Sequence, residues 1–451
     1  MADSATPRTA DRPRLAVAYS GGRDSTALLH AVTGQAKEAN IEVPAFGESK
    51  YEVLAFHIHH GLSTRADAWV AHAERQCAGW SVRLVTHYLS GRPAAGESIE
   101  AWAREARHAA LAALCAEHGV DLLLLAHHRR DQAETLLLQA LRGAGVAGLA
   151  AMPKTQWRDG ICWARPWLDQ PRGAIEAYVA AHGLQYVDDD SNADPRFARN
   201  RLRLAVWPAL GDAFPQAESA LAQSATWAQQ ALALQQEMAT VDLAGRVDKH
   251  GLALQELQSL SPARAANALR AWLHEATGQV APASLVQRIQ SGEGGSGAAW
   301  PCADGLLRLY RGRLSWHPAP EAKADLRPSQ MVNLGLPGSY AQPGWGGGWE
   351  VTAVPFGGVP AARLQDLTLR PRQGGEQFQR APGSALRSLK KAYQEAGVPG
   401  WAREGPLLFS GAELVFAAGL GIDARVLAPP GEPQLSLRWL PVESRVPFTA
   451  P

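Results

Sequence analysis

The feature that most constrains this chain is residues 15–30, which read LAVAYSGGRDSTALLH. The first part, Leu15–Ala18, is an apolar run without helical periodicity, and a serine and two glycines follow it closely. Apolar residues typical of a helix return at Ala27–Leu29. The stretch therefore predicts a buried strand, a tight loop and a helix in direct succession.

The loop between these elements has the composition of a phosphate-binding site. Gly21 and Gly22 permit positive φ angles and let a ligand approach the main chain, and the following helix begins with unpaired N–H groups that attract anions. Ser20 and Ser25 add hydroxyl donors, and Asp24 can hold a metal ion or a proton. The loop is neither a Walker A sequence nor a GxGxxG fingerprint. An ordinary strand-to-helix turn capped by Ser or Asp is the alternative.

Strands and helices alternate from Leu15 to about Leu149, which predicts an α/β N-terminal domain, residues 1–211, with a doubly wound and mostly parallel sheet. Ligands of such sheets bind at the carboxyl ends of the strands. The predicted strands are Leu15–Tyr19, Tyr51–Ile58, Val82–His87 and Asp121–Ala126. The predicted helices are Thr26–Glu38, Ala66–Trp80, Ser98–His118, Pro171–His182 and Asp194–Leu210, with a loop or small hairpin at Pro153–Leu168.

Two further domains are predicted behind the first. Residues 212–335 begin rich in Ala, Leu and Gln at helical spacing, and they predict a helical domain closed by a hairpin at Ala298–Trp316. The Pro- and Gly-rich passage Pro337–Gly358 predicts a linker or loop. Residues 360–451 predict a small α+β domain with a basic helix at Ala385–Ala396.

Two carboxylates follow the fourth predicted strand. Asp131 and Glu134 lie three residues apart, which predicts that both lie on one exposed helix face just beyond the strand end. They can hold an ammonium group or Mg²⁺, and His128 in front of them can donate to a phosphate. The alternatives are a solvated helix start, whose acids favour the N-terminal dipole, and a plain turn residue at His128.

Two groups of arginines flank these signals. Arg104 and Arg107 share a helix face and, beside an ATP site, can neutralise a leaving pyrophosphate; surface ion pairs are the alternative. Arginines around Asn200 follow an acidic run and suit an RNA backbone or a flipped base, with a surface ion-pair network as the alternative. These arginines are Arg196, Arg199, Arg201 and Arg203.

Composition narrows the class of protein. A net charge of +1 predicts no general affinity for nucleic acid, so any basic surface must be local. The four cysteines are far apart, which argues against a zinc ribbon, an iron–sulfur cluster or a disulfide scaffold and predicts a reducing, cytoplasmic setting. The sequence has no apolar span of membrane-crossing length. The oligomeric state stays open, with a homodimer among the alternatives.

The loop SGGRDS resembles the PP-loop of the ATP pyrophosphatase superfamily, whose members cleave ATP to AMP and pyrophosphate to activate a carbonyl oxygen. The order of the further motifs resembles the tRNA(Ile)-lysidine synthase family over residues 15–210 and again over residues 369–422. The motifs are SGGRDS, HIHHGLS, the AREAR helix, HHRRDQAET, RGAGVAGLAAM, RPWL, DDDSNADPRFARNRLR, LRPRQGGEQF and LRSLKKAYQEAGVPGWAREGPLLF.

This resemblance implies a reaction. Enzymes of the family use ATP, with Mg²⁺, and L-lysine to convert the wobble cytidine of an isoleucine tRNA with a CAU anticodon into lysidine. The C2 oxygen of the base attacks the α-phosphate, pyrophosphate leaves, and the ε-amine of lysine then displaces AMP from C2. The amine must lose a proton before it attacks, and Asp24 or Asp131 can accept it.

The resemblance also implies roles for individual residues. Asp24 would hold Mg²⁺ on the phosphates, and Asp131 and Glu134 would bind lysine's ammonium groups or metal. The remaining ATP contacts would be Ser20, Gly21, Gly22, Arg23 and Ser25; catalytic contacts to phosphates, cytidine or adenylate would be Arg104, Arg107, His128 and Arg201; tRNA contacts would be Arg199, Arg203, Arg370, Arg372, Arg387, Lys390 and Arg403.

The chain departs from the family pattern at Arg130, where many relatives carry a second aspartate. The acidic role therefore falls on Asp131 alone. The positive charge of Arg130 excludes this residue as a metal ligand. Three other functions stay open: a PP-loop tRNA thiolase, an amidotransferase-coupled synthetase, and an RNA-binding protein with an inactive nucleotide site. The cysteine spacing disfavours the first, the lack of an N-terminal cysteine nucleophile the second, and the intact acids the third.

Overall fold

The structure is a computed structural model that describes residues 13–38, 51–61, 63, 65–93, 99–188, 194–293, 295, 297–319 and 329–441. The chain divides into two compact units, residues 1–235 and 236–451. Ser98, where a helix is predicted to begin, and residues 189–190 of the predicted acidic run lie outside the described residues.

The first unit is built on a six-stranded sheet. Its strands are β1 (Arg14–Ala18), β2 (Glu52–His59), β3 (Arg83–Tyr88), β4 (Val120–Leu124), β5 (Thr155–Arg158) and β6 (Ile161–Ala164). Their order across the sheet is β3-β2-β1-β4-β6-β5. All pairs are parallel except the β5–β6 hairpin. The predicted mostly parallel sheet is confirmed, and the predicted loop or hairpin at residues 153–168 is a hairpin.

Helices cover both faces of this sheet because successive strand residues point to opposite sides. Val17 of β1 packs in one cluster with Leu28, whereas its neighbour Ala16 packs in another with Leu111. The sheet is therefore doubly wound, as predicted. The helices that follow its strands are α1 (Arg23–Glu38), α2 (Ala66–Gly79), α3 (Ile99–His118), α4 (Arg129–Leu141), the short α5 (Val146–Leu149) and α6 (Arg172–Ala181).

The helix predicted over residues 194–210 is divided. A short α7 (Ala198–Arg201) continues through a π-helical turn (Leu202–Val206) into α8 (Trp207–Ala213), and the long α9 (Ala217–Leu243) follows. Pro208 lies in the first turn of α8, where the missing backbone N–H of proline is tolerated. The same missing N–H interrupts the hydrogen-bond pattern of a continuous α-helix. This irregular segment lies against the start of α4 through ion pairs described below.

The second unit begins with helices on an antiparallel sheet. Leu269 and Trp272 pack with Leu307 and Leu314 of the sheet in one buried cluster. The hairpin predicted near residues 298–316 is part of this five-stranded sheet, whose order is β7-β8-β11-β10-β9. The elements are β7 (Val247–Asp248), β8 (Gly251–Ala253), α10 (Pro262–Thr277), α11 (Ala283–Gln290), β9 (Ala299–Cys302), β10 (Gly305–Tyr310) and β11 (Arg313–Pro318).

Two further antiparallel sheets, one of five strands and one of four, complete the second unit together with one helix. Their orders are β12-β16-β19-β20-β21 and β13-β14-β22-β15, with a separate β17–β18 pair. The elements are β12 (Gln330–Val332), β13 (Gly338–Gln342), β14 (Gly347–Val354), β15 (Val359–Pro360), β16 (Leu367–Arg370), β17 (Gln377–Phe378), β18 (Arg387–Ser388), α12 (Leu389–Glu395), β19 (Leu407–Ser410), β20 (Glu413–Ala417), β21 (Gly421–Ile422) and β22 (Gln434–Pro441).

The predicted linker at residues 337–358 is wrong, because this passage forms β13 and β14. The glycines serve close packing there: a Cβ on Gly347 would clash with the ring of Trp439 on the paired strand β22. Composition alone does not separate this use of glycine from flexibility. Over the residues that the structure describes, no helix is both long and apolar enough to cross a membrane.

Candidate active site

The phosphate-binding loop has the predicted strand–loop–helix geometry. Strand β1 ends at Ala18 and α1 begins at Arg23. Gly21 has a φ of +80°, a value that strains the backbone of a residue with a Cβ but not that of glycine. The hydroxyl of Ser25 donates to the carbonyl of Gly22 at 3.0 Å and lies 3.0 Å from the hydroxyl of Ser20. Hydroxyls and helix N–H groups are thus gathered at one turn, which can bind an anion.

Asp24 is joined to the carboxylate helix through a histidine. His128 Nε2 lies 3.6 Å from Asp24 Oδ2 and 3.5 Å from Asp131 Oδ2. The backbone N–H of His128 donates to Asp131 at 3.0 Å and so caps α4. The buried imidazole therefore lies between the carboxylate of the loop and that of the helix. Asp24 keeps 32% of its side-chain area exposed, so it remains open to a ligand.

Both carboxylates are held in the ionised form. Burial alone would raise the pKa of Asp24, but hydrogen bonding to His128 and the charges of His128 and Arg23 bring this pKa below its ordinary value of 3.8. The pKa of Asp131 is also lowered, because the charges around it, chiefly those of His128 and Arg199, outweigh its burial. Each can therefore accept hydrogen bonds from an ammonium group or bind a cation at neutral pH.

Glu134 lies beneath these residues and is fully buried at 0% exposure. It accepts from Arg199 Nε at 3.0 Å and from Arg203 Nε at 2.9 Å. Arg203 also contacts Asp131 at 2.8 Å, and Arg199 lies 3.5 Å from the same carboxylate. The predicted exposure of Asp131 and Glu134 is wrong, since two arginines from a segment more than 60 residues later fold over them.

Arg130 packs away from the carboxylates. Its Nε lies 3.0 Å from Glu218 of α9, and its guanidinium lies 4.0 Å from the ring centre of Trp207. Arg129 shares Glu218 at 3.1 Å. Adjacent arginines thus tie the first turn of α4 to the helices that follow Arg203, which fixes the segment that neutralises Glu134.

The remaining predicted N-terminal residues lie at the rim. Arg23 bonds to Asp24 at 3.2 Å and to Glu176 at 2.7 Å. Arg201 is exposed, and its guanidinium donates to the backbone carbonyls of Pro195 and Arg196. Arg104 and Arg107 are exposed on α3, which covers the sheet face opposite α1.

Three residues without a role in the sequence analysis also lie near the carboxyl ends of the strands. Buried His57, from the HIHHGLS motif, has its Nδ1 2.9 Å from the carbonyl of Tyr19 and so supports the loop. His127 follows β4, and Arg165, the first residue of RPWL, follows β6. Their position at or directly after the ends of parallel strands is the sequence feature that could have identified them as candidate site residues.

The C-terminal basic residues differ in accessibility. Arg387 and Lys390 are exposed. Arg370 is half-buried, with its guanidinium 3.8 Å from the ring centre of Phe409, and Arg403 is half-buried with its Nε donating to the carbonyl of Val398. The half-buried Arg372 also lies on this unit. Exposed Arg387 and Lys390 are therefore the residues best placed to contact a ligand.

The half-buried His108 of α3 makes stability depend on pH. Burial and the neighbouring charges of Arg104, Arg107, Arg158 and Arg165 lower the pKa of His108 from 6.5 to about 4. The unfolded chain takes up this proton below about pH 6.5 and the folded protein only near pH 4. The free energy of unfolding therefore falls as pH drops through that window.

We expect His108→Gln to flatten this pH dependence. Between neutral pH and pH 4, the free energy of unfolding should fall by up to about 3 kcal/mol less for the variant than for the unmodified protein. Urea unfolding at intervals between pH 7 and pH 4 measures the effect. Parallel curves for the two proteins would show that His108 is not held neutral by the fold.

Sequence models of known families match three parts of the chain. The one described as "PP-loop domain" matches residues 3–210. The one described as "TilS substrate binding domain" matches residues 252–315, and the one described as "TilS substrate C-terminal domain" matches residues 367–439. The matches together span both units.

Curated relatives match over nearly the whole chain. A protein of Ralstonia nicotianae named tRNA(Ile)-lysidine synthase is 43% identical over 439 residues, which cover 92% of this chain and 90% of the relative. The protein of that name from Burkholderia pseudomallei is 36% identical over 452 residues, with the same coverage. The one from Pseudomonas fluorescens is 37% identical over 423 residues, covering 91% of this chain and 90% of the relative.

Proposed function

This chain belongs to the tRNA(Ile)-lysidine synthase family, a family of PP-loop ATP-using ligases, and we propose that it ligates L-lysine to C2 of the wobble cytidine of the isoleucine tRNA with a CAU anticodon. The observation that carries the proposal is the contact between the phosphate-binding loop and the carboxylate helix. Asp24, His128 and Asp131 form one continuous site, so an activated base and an amine can meet there.

The first step would activate the base. The C2 oxygen of cytidine forms a bond to the α-phosphorus of ATP, and the bond from that phosphorus to the leaving pyrophosphate breaks. The loop hydroxyls of Ser20 and Ser25 and the first N–H groups of α1 would hold the phosphates. Arg104 and Arg107 would stabilise the negative charge that develops on pyrophosphate.

The second step would form the carbon–nitrogen bond. The ε-amine of lysine attacks C2, the bond from C2 to the adenylate oxygen breaks, and AMP leaves. Lysine enters as an ammonium ion, so a proton must first pass to a base. Asp24 and Asp131 are both ionised and lie on either side of His128, so each is a candidate acceptor for that proton.

Glu134 would act on lysine indirectly. Its carboxylate is saturated by Arg199 and Arg203, and those arginines in turn contact Asp131. Asp131, with 10% of its side chain exposed, would then be the carboxylate that contacts the ammonium group. Glu134 fixes the two arginines and thereby the position of Asp131.

Mg²⁺ is the cation expected with ATP, and Asp24 fits it. Within the described residues, no group of three or more His, Cys, Asp or Glu is arranged to hold a metal ion. Mg²⁺ often binds through one carboxylate together with substrate phosphates and water. A single accessible carboxylate beside a phosphate loop matches that requirement, and the ion would supply positive charge to the phosphates of ATP.

The thiolase alternative is disfavoured by the cysteines. Cys77, Cys115, Cys162 and Cys302 are all buried and free. Burial raises the pKa of Cys77 and of Cys115 to about 12, so neither is a ready thiolate nucleophile. The observed thiols are core residues of the fold rather than a sulfur-delivery pair.

The decisive assay combines the protein with ATP, Mg²⁺, radiolabelled lysine and the CAU-anticodon isoleucine tRNA. We expect label in the wobble nucleoside. For each lysine incorporated, one AMP and one pyrophosphate should be released. A methionine tRNA, which shares the anticodon, is the control substrate and should take up little label. Absence of label from the isoleucine tRNA, with ATP intact, would refute the function.

The C-terminal contact to tRNA has its own test. Lys390 is exposed on α12, and we expect Lys390→Ala to weaken tRNA binding and to reduce the slope of log affinity against log salt by about one. Arg83→Ala removes an exposed charge at the amino end of β3 and serves as the control. Titration of labelled tRNA at several salt concentrations measures both slopes, and equal slopes would remove Lys390 from the interface.

A further inference from the structure

A row of arginines lines the sheet face that α3 covers. Arg158 lies directly opposite Ile161 in the β5–β6 hairpin, and cross-strand partners share a face. Ile161 and Trp163 pack with Leu111 of α3, so this is the face beneath α3. Arg165 follows β6 at the same alternation as Trp163.

Arg165 forms the buried base of this row. It is 7% exposed, and its Nη1 donates to the carbonyl of Pro153 at 2.9 Å. Its Nε is buried and, among the residues that the structure describes, has no hydrogen-bond partner. Burial and the charges of Arg158 and Arg104 lower the pKa of this guanidinium to about 10. A buried donor without an acceptor, in a field of like charge, lacks an anion.

Two imidazoles report the same excess of positive charge. Burial is the largest cause that lowers the pKa of His127 to about 3; Asp131 opposes the shift, while Arg165, Arg199 and Arg107 add to it. The buried Nδ1 of His127 has no partner among the described residues. His108 is surrounded by Arg104, Arg107, Arg158 and Arg165, as described above. Both imidazoles are therefore neutral, and the arginines carry the charge.

The shape of the row selects among anions. Arg104, Arg107 and Arg158 are exposed, so the row is open to solvent above its buried base. Arg158 pairs with the first residue of β6 and Arg165 follows the last, which separates their backbones by roughly 13 Å at about 3.3 Å per residue. A polynucleotide carries a charge at every nucleotide, so one strand can contact more than one arginine of such a row.

We propose that Arg158 and Arg165, the two members of the row that lie on and just after the β5–β6 hairpin, bind backbone phosphates of the tRNA strand that carries the target cytidine. The identity of the RNA rests on the proposed function; the anion site itself does not. The charges of Arg165 and Asp131 both act on His127, so the row lies near the site, and a strand held on it would enter from the α3 side. Arg158 and Arg165 then position the substrate and take no part in the bond-breaking steps.

The test compares Arg158→Ala with the control Arg83→Ala. We expect Arg158→Ala to raise the dissociation constant for the tRNA about fivefold and to lower the salt slope by about one. The KM for ATP and the KM for lysine should stay unchanged, as should the melting temperature, because Arg158 is exposed. Arg165→Lys, which keeps the charge but not the planar donors, should weaken tRNA binding to a smaller extent.

The same measurements can overturn the inference. An unchanged dissociation constant and salt slope for Arg158→Ala would refute it. A raised KM for ATP in Arg158→Ala, or weaker product inhibition of this variant by pyrophosphate, would assign Arg158 to the nucleotide and refute the RNA contact. Binding is measured on labelled tRNA without turnover, so failure of lysine incorporation by the unmodified protein would count against the proposed function alone.

Discussion

Asp24→Ala is expected to lower the rate of tRNA-dependent pyrophosphate release by about 100-fold or more. Asp24 is the accessible carboxylate of the phosphate-binding loop, and its side chain lies beside His128. Its loss removes the proposed contact to the metal-bound phosphates and one of the two acceptors for the proton of lysine. Effects of this size are typical when a charged group acts on a developing transition state.

The control for Asp24→Ala is Asp121→Ala. Asp121 is an exposed aspartate near the amino end of β4, at the opposite edge of the same sheet. We expect the control variant to retain both the rate and the melting temperature of the unmodified protein. Pyrophosphate is counted in an enzyme-coupled assay, and a normal rate for Asp24→Ala would remove the loop from the chemistry.

Glu134→Ala is expected to cost about 3–5 kcal/mol of unfolding free energy. The substitution leaves Arg199 and Arg203 without the buried carboxylate that both contact. The same change frees the two arginines to compete for Asp131, so the folded variant should have a KM for lysine raised at least about tenfold. Urea unfolding and initial rates at varied lysine measure the two effects.

A second buried pair separates stability from site geometry. Asp242 is 1% exposed and bonds to Arg264 Nε at 3.2 Å in the other unit. Asp242→Ala should also destabilise the protein but leave the KM for lysine normal. Glu134→Gln, which keeps the volume and one acceptor oxygen, supplies a milder variant for kinetics. Normal lysine KM values in both Glu134 variants would restrict Glu134 to folding.

Local patterns were sufficient to predict the sheet and the loop. The strand before the loop is an uninterrupted apolar run because parallel strands are buried on both faces. The tight turn needs a glycine, and the positive φ of Gly21 confirms the reason for it. The elements β1 to β4 and their helices lie within a few residues of the predicted bounds.

Long-range contacts were not predictable in the same way. The sequence around Asp131 and Glu134 does not predict that Arg199 and Arg203 will contact and bury them. The structure therefore changes the interpretation of α4 from an exposed acidic face to a buried ionic network. Gly347 misled for a similar reason, since its partner Trp439 lies about 90 residues away.

The central claim is that one site first adenylates the cytidine and then admits lysine. The direct measurement uses α-phosphate-labelled ATP, Mg²⁺ and the CAU-anticodon isoleucine tRNA without lysine. We predict that label appears on the tRNA at the wobble cytidine while pyrophosphate is released, and that added lysine then frees the label as AMP. Failure of the label to enter the tRNA, while lysine is still incorporated in the complete reaction, would contradict the two-step account.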